Sequence, residues 1–124
     1  MLLTCLYSLL VLPKELILDV YTDDYKAVNA WIDDNKEEAE SNNYLERRYP
    51  CDLKHIYHLR NSISHGNVEF DDTNRENVIC IFKDNDNSGH NYSLKLSTAN
   101  VGNLAYELIK AQERYMNSLA AHDR

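Results

Sequence analysis

Apolar residues recur at intervals of three to four in several separate segments of this chain, and that spacing is typical of amphipathic helices. It predicts helices over about residues 25–40 and 52–65, and a long last helix that begins near residue 98. Polar side chains suited to an N-cap precede the last helix at Ser97 and Thr98. A helical core therefore accounts for most of the sequence.

The spacing changes to alternation between the second and last of these helices. The apolar residues at 78–82 and 92–96 read as two strands, and a turn-rich segment from Asp84 to Gly89 separates them. A hairpin alone is marginal in water, so it should pack on the helices or on a partner. We therefore expect a mainly α fold: an up-and-down bundle of about four helices with a β-hairpin inserted before the last helix. A chain of 124 residues suffices for one domain, residues 1–124.

Arg60 and His65 lie five positions apart near the end of the predicted second helix, which Gly66 should terminate. An Arg side chain offers a planar fork of donors that suits phosphate oxygens, whereas a His can accept or return a proton near neutral pH. An RNA phosphodiester is a natural shared target, because the 2′-hydroxyl lies beside the phosphorus. His65 would remove the hydroxyl proton and Arg60 would hold the phosphorane, without a metal ion.

A five-residue offset places two side chains about 140° apart around a helix, so one helix cannot easily aim both at one atom. A second copy of the chain could complete the site, because a two-fold axis would bring both motifs to one groove. Asn61 lies four residues before His65 and could orient its ring. His58 lies seven residues before His65, on nearly the same helix face, and Ser64 lies beside His65. These three are candidate supporting residues.

The string from Leu59 to Gly66 resembles the Arg-polar-x-x-x-His signature of HEPN domains, small helical bundles found in metal-independent ribonucleases, toxin–antitoxin pairs and phage-defence systems. The resemblance implies a HEPN-like bundle acting as a cytoplasmic homodimer on RNA, without a cofactor. It implies an endoribonuclease that leaves 2′,3′-cyclic phosphate ends and serves as a toxin or phage-defence effector, with a protein antitoxin or regulator as a possible partner. Family toxins that are paired with a minimal nucleotidyltransferase typically carry Tyr two residues after the His. Asn67 stands there, which argues against control by tyrosine modification.

The formal net charge of −7 is unfavourable for a nucleic-acid binder, since phosphate contacts usually need clustered Lys and Arg. Arg47, Arg48 and Lys54 could form a local basic patch, although such residues are more often an ordinary solvated face. The acidic charge favours the alternative function, a non-catalytic HEPN-like module for dimerisation or RNA docking.

Three cysteines, Cys5, Cys51 and Cys80, lack CxxC spacing and suggest buried thiols in a reducing cytosol. The apolar segment from Met1 to Leu12 has no Lys or Arg before its apolar run and no small-x-small cleavage site after it. It is also too short to cross a bilayer. We expect a first core helix and no membrane partner, with secretion as the minor alternative.

A zinc site is a further alternative, because Cys51, His55 and His58 are spaced four and three apart on one predicted helix face. Closed zinc sites usually draw ligand pairs from two separated segments, and only one segment is evident here. Two partly exposed histidines and a buried thiol are the favoured interpretation. The sequence therefore predicts no metal ligands.

Overall fold

A computed structural model describes residues 6, 8, 22–41, 51–85 and 91–122 of the chain. Leu6 and Ser8 have helical backbone. Beyond them, the described ranges contain three α-helices: α1 (Thr22–Asn35), α2 (Lys54–Ser64) and α3 (Thr98–His122). A short 3-10 turn, Cys51–Leu53, leads into α2. The strands are β1 (Glu38–Ser41), β2 (Val68–Asp71), β3 (Ile79–Asn85) and β4 (Asn91–Ser97).

The four strands form one antiparallel sheet in the order β1-β4-β3-β2. The β3–β4 hairpin lies at its centre, with Phe82 opposite Leu94 and Asp84 opposite Tyr92. β1 pairs along β4 and β2 pairs along β3. The chain therefore builds the sheet by adding one short strand to each edge of the hairpin.

One face of the sheet is buried under the helices. Phe82, Leu94 and Leu96 are fully buried. Leu94 and Leu96 point to the same side because they are two residues apart on β4, and Phe82 pairs with Leu94. α2 and α3 pack on the sheet, and α1 packs against both helices. The largest fully buried side chains of the core are Leu6, Tyr25, Ile32, Ile56, Leu59, Phe82, Leu94, Leu96, Val101, Leu104 and Leu108. The fold is a two-layer α+β arrangement.

The expected up-and-down bundle of about four helices is wrong, because the described residues combine helices with a four-stranded sheet. The hairpin is present, but it is the middle of a sheet and not an insertion into a bundle. α1 ends at Asn35, short of the predicted end at residue 40. The residues from Glu37 to Ser41 form backbone hydrogen bonds with β4 instead of with the helix. The N–H of Glu37 donates to the carbonyl of Lys95 at 2.9 Å, which starts the pairing of β1 with β4.

The ends of α2 are fixed by contacts outside its own regular hydrogen bonds. The side chain of its N-cap residue, Leu53, forms no hydrogen bond with the first turn. Instead, Oδ1 of Asn29 on α1 accepts a hydrogen bond from the backbone N–H of Ile56 at 3.1 Å. At the other end, Gly66 has φ +69°, and the N–H groups of Gly66 and Asn67 donate to Ile63 and Ser62. This is the Schellman pattern, and the predicted stop at Gly66 is confirmed.

α3 begins where the sequence predicts. Oγ of Ser97 accepts a hydrogen bond from the N–H of Asn100 at 3.2 Å, which is an N-cap interaction. Leu104, Leu108 and Ala111 follow at helical spacing and are buried. The last helix thus supplies a continuous stripe of the core.

The other sequence expectations about burial have mixed outcomes. Leu6 is helical and buried, and the remainder of the predicted first helix lies outside the described residues apart from Ser8. Cys80 is buried, but Cys51 is exposed, so the expectation of buried thiols is wrong there, because Cys51 starts a surface turn. Cys5 lies outside the described residues. Across the described ranges, each helix is either too short or too polar to cross a bilayer.

Candidate active site

His65 lies at the tip of α2, where it is the C-cap residue. Its backbone N–H donates to the carbonyl of Asn61 at 3.0 Å, and its side chain is exposed. Ser64, the last residue of the helix, is also exposed. Gly66, in the left-handed conformation, ends the helix immediately afterwards. An exposed imidazole at a helix end is accessible to a ligand.

Arg60 lies one turn before the tip and is partly exposed. The centre of its guanidinium is 5.1 Å from the ring centroid of Tyr57, within the range of a cation–π contact. Nη2 of Arg60 lies 3.5 Å from Oδ1 of Asn61, at the outer limit for a hydrogen bond. The guanidinium is thus supported on one side by an aromatic ring and on another by an amide.

Asp84 on β3 joins the sheet to this part of α2. Its Oδ2 accepts a hydrogen bond from Nδ1 of His58 at 2.7 Å and another from Nδ2 of Asn61 at 3.1 Å. Burial acts to raise the pKa of Asp84, but these two hydrogen bonds and the nearby charges of His58 and His65 outweigh it, so the pKa is lowered. The carboxylate therefore stays ionised beside the motif at neutral pH.

Tyr92 lies between two histidines of α2. Its ring stacks on His58 with the centroids 4.0 Å apart, and its hydroxyl is hydrogen-bonded to Nδ1 of His55. Nε2 of His55 lies 3.2 Å from Oδ1 of Asp33 at the end of α1. Burial lowers the pKa of His55, and the contact with Asp33 opposes that shift only in part. His55 is therefore a structural link between α1, α2 and β4.

A family model described as HEPN pEK499 p136 matches residues 1–119. The chain belongs to this HEPN family. No curated protein and no solved structure matches the chain. The match confirms the resemblance that the segment from Arg60 to His65 carries, and it spans nearly the whole chain. The four-stranded sheet is thus a feature of a HEPN-family protein and not a sign of another family.

The structure links the three motif residues, Arg60, Asn61 and His65, to Asp84 in different ways. Asn61 donates a hydrogen bond to Asp84, and Arg60 contacts Asn61. His65 occupies the tip of the helix, close enough for its charge to act on Asp84. Asn61, expected to orient the ring of His65, is joined to that residue by the backbone hydrogen bond at the helix end. Its side-chain amide donates to Asp84, and its side-chain oxygen lies 3.5 Å from Nη2 of Arg60.

The position of His58 on the helix suggests a residue that lines the groove beside His65. The structure places its side chain elsewhere. Only 13% of its side chain is exposed, and Nε2 is shielded from solvent. The ring points toward the sheet, between Tyr92 and Asp84. His58 therefore supports the HEPN motif from the side of α2 that faces the sheet. Of the proposed basic patch, Lys54 is partly exposed on the first turn of α2, and Arg47 and Arg48 lie outside the described residues.

The side chains of the alternative zinc site, Cys51, His55 and His58, are not arranged around a common point. His55 is engaged with Tyr92 and Asp33, His58 is engaged with Asp84, and Cys51 is exposed. In the stretches of this HEPN protein that the structure describes, no three His, Cys, Asp or Glu side chains are grouped to hold a metal ion.

Asp84 and Tyr92 are the residues that sequence reasoning missed. The sequence pattern predicts a turn that starts at Asp84, but β3 continues to Asn85. A signal was present, because Asp84 continues the inward alternation of Cys80 and Phe82. A carboxylate at an inward strand position requires donors from whatever packs on it. Those donors come from α2.

Proposed function

We propose that this HEPN protein is a metal-independent endoribonuclease. The observation that carries the proposal is the placement, in a chain of this family, of a partly exposed guanidinium and an exposed imidazole on the last turns of one helix. Arg60 is already supported by Tyr57 and Asn61, so little ordering is needed when it meets a phosphate.

In the proposed reaction, His65 removes the proton from a 2′-hydroxyl, and the resulting oxygen attacks the adjacent phosphorus. Arg60 donates hydrogen bonds to the non-bridging oxygens of the phosphorane, whose negative charge it neutralises. The bond to the 5′ oxygen breaks, that oxygen takes a proton from water, and His65 returns the 2′-hydroxyl proton to the solvent. The products are a 2′,3′-cyclic phosphate and a 5′-hydroxyl, so the electrons and protons balance without a redox partner.

The proposal includes a homodimer. Arg60 and His65 are about 140° apart around α2, so two helix tips related by a two-fold axis could offer both groups to one phosphodiester. The site would then be self-complementary, with the same residues on both sides of the groove. We further propose the biological role of a toxin or phage-defence effector in the cytoplasm, controlled by a protein antitoxin or another regulator.

Incubation of the purified protein with mixed RNA in excess chelator tests the activity. We expect cleavage by the wild type, and a loss of about a hundred- to ten-thousandfold in Arg60→Ala and His65→Ala. Arg114→Ala is the matched control, because Arg114 lies on α3 and forms an exposed ion pair with Asp24. Cleavage that survives both motif substitutions would refute the proposal.

A second function, a non-catalytic module for dimerisation or RNA docking, is favoured by the charge. The chain carries a net charge of −7, and Asp84 adds an ionised carboxylate beside the motif. Absence of cleavage by folded, dimeric wild type would support this function. RNA binding by the same sample, measured by fluorescence anisotropy at low salt, would separate docking on RNA from dimerisation alone.

A further inference from the structure

Asp84 occupies a position where a strand normally carries an apolar side chain. Cys80 and Phe82 precede it on the inward face of β3, and both are buried. Only 20% of the Asp84 side chain is exposed. A carboxylate that is largely removed from water is tolerated where donors compensate it. The identity of its donors therefore indicates what the position does.

Both donors are on successive turns of α2, and both bind the same oxygen. Nδ1 of His58 and Nδ2 of Asn61 lie 2.7 and 3.1 Å from Oδ2 of Asp84. Residues three apart lie on one side of a helix, so two such bonds fix both the rotation and the axial position of α2 against the sheet. The stack of His58 on Tyr92, the residue opposite Asp84, holds the first of these donors in place.

The bond to Asp84 also determines which way the Asn61 amide points. A carboxylate can only accept, so the NH2 group of Asn61 faces Asp84 and its oxygen faces the other way. That oxygen is the atom 3.5 Å from Nη2 of Arg60. The guanidinium thus meets an oxygen on the amide side and the Tyr57 ring on another. The bond to Asp84 therefore leaves the Asn61 oxygen facing Arg60.

We propose that Asp84 is the positioning residue of the HEPN motif, holding Asn61, and through it the Arg60 guanidinium, in the orientation that receives the phosphate. This inference rests on the proposed ribonuclease function. In this role Asp84 acts on the motif through Asn61 and does not itself contact the RNA. His58 is the second anchor of the same carboxylate and acts from behind the motif.

The test compares two substitutions of Asp84. Asp84→Ala removes the acceptor. Asp84→Asn loses the charge and replaces one oxygen by an NH2 group, but it keeps a carbonyl oxygen that can accept from both donors. A misplacement of catalytic groups by about 1 Å can cost about a hundredfold in rate. We expect Asp84→Ala to lower kcat by up to about that factor with KM changed much less, and Asp84→Asn to recover most of the loss. Asp72→Ala removes an exposed carboxylate and is the matched control.

A second readout separates this inference from the ribonuclease proposal. In nitrogen-labelled protein, the side-chain resonances of Asn61 and Arg60 should move in Asp84→Ala and stay in place in Asp72→Ala, with or without RNA cleavage. Unfolding curves recorded by circular dichroism identify a variant that fails to fold. If Asp84→Ala fails to fold, Asp84→Asn is compared with the wild type. Full kcat in folded Asp84→Ala, or unchanged Asn61 and Arg60 resonances, would overturn the positioning role. Absence of cleavage by wild type with shifted resonances would refute the ribonuclease proposal alone.

Discussion

Oδ1 of Asn29 accepts a hydrogen bond from the backbone N–H of Ile56 at 3.1 Å, so the helix that carries the HEPN motif is capped from a neighbouring helix. Both residues are buried. The first turn of a helix leaves its N–H groups without intrahelical partners, and the N-cap residue of α2 offers no side-chain acceptor. The contact therefore ties the start of α2 to α1.

Replacing Asn29 by Ala should lower the free energy of unfolding by about 1–3 kcal/mol, because the buried N–H of Ile56 loses its acceptor. Urea unfolding at neutral pH measures the change. Asn103→Ala, on the exposed face of α3, is the matched control and should change stability by less than about 0.5 kcal/mol. Equal stability of the two variants would show that the cap contributes nothing.

Gly66, which follows α2, and Gly102, which lies inside α3, should respond to Ala in opposite directions. Gly66 has φ +69°, a conformation that costs an L-residue about 1–2 kcal/mol, so Gly66→Ala should destabilise although an added Cβ meets nothing within 4 Å. Gly102 lies inside α3 and is exposed, with open space around an added Cβ. Gly102→Ala should stabilise by about 0.5–1 kcal/mol. Melting temperatures of both variants test the pair, and shifts of the same sign would contradict the prediction.

Stability should fall as the pH is lowered through the range in which histidine titrates. Burial lowers the pKa of His55 in the folded protein, with Asp33, Lys54 and Lys36 as the charged groups that act on it and Tyr92 against its ring. The unfolded chain binds the proton first, below its ordinary pKa of about 6.5, so protonation favours unfolding. The free energy of unfolding, measured from pH 8 to pH 5, should fall less steeply in His55→Gln. An identical slope in the variant would exclude His55 as the cause.

An element of the fold can be predicted from the sequence when the residues that determine it are neighbours in the chain. The helix α2, its stop at Gly66 and the cap at Ser97 depend on neighbouring residues, and their patterns predict them. β1 has the sequence Glu-Ala-Glu-Ser, which contains no β-branched or aromatic residue. It becomes a strand because β4 offers it an edge, and that tertiary pairing has no counterpart in local spacing.

The candidate site divides in the same way. Arg60, Asn61 and His65 are contiguous, so their spacing is visible in the sequence. Asp84 lies 23 residues beyond Asn61 and reaches it only because β3 packs under α2. The orientation of His58 toward the sheet also depends on that packing, since helix spacing alone places it near His65.

Complementation between inactive variants tests the shared groove. If each phosphodiester meets Arg60 of one copy and His65 of the other, Arg60→Ala and His65→Ala should each be inactive alone. Mixing them after brief denaturation and joint refolding should restore part of the cleavage, because mixed dimers contain one intact pair. Mixing each variant with itself is the control. No recovery, together with a mixed dimer detected by native mass spectrometry, would contradict a groove built from two copies.

Our main proposal for this HEPN protein is RNA cleavage by His65 and Arg60 without a metal ion. The most direct measurement is mass spectrometry of the RNA fragments that the wild-type protein produces in excess chelator. We expect fragments that end in a 2′,3′-cyclic phosphate, and we expect none of them with His65→Ala or Arg60→Ala. Fragments with any other end, the same fragments from both variants, or intact RNA with folded wild type would contradict it.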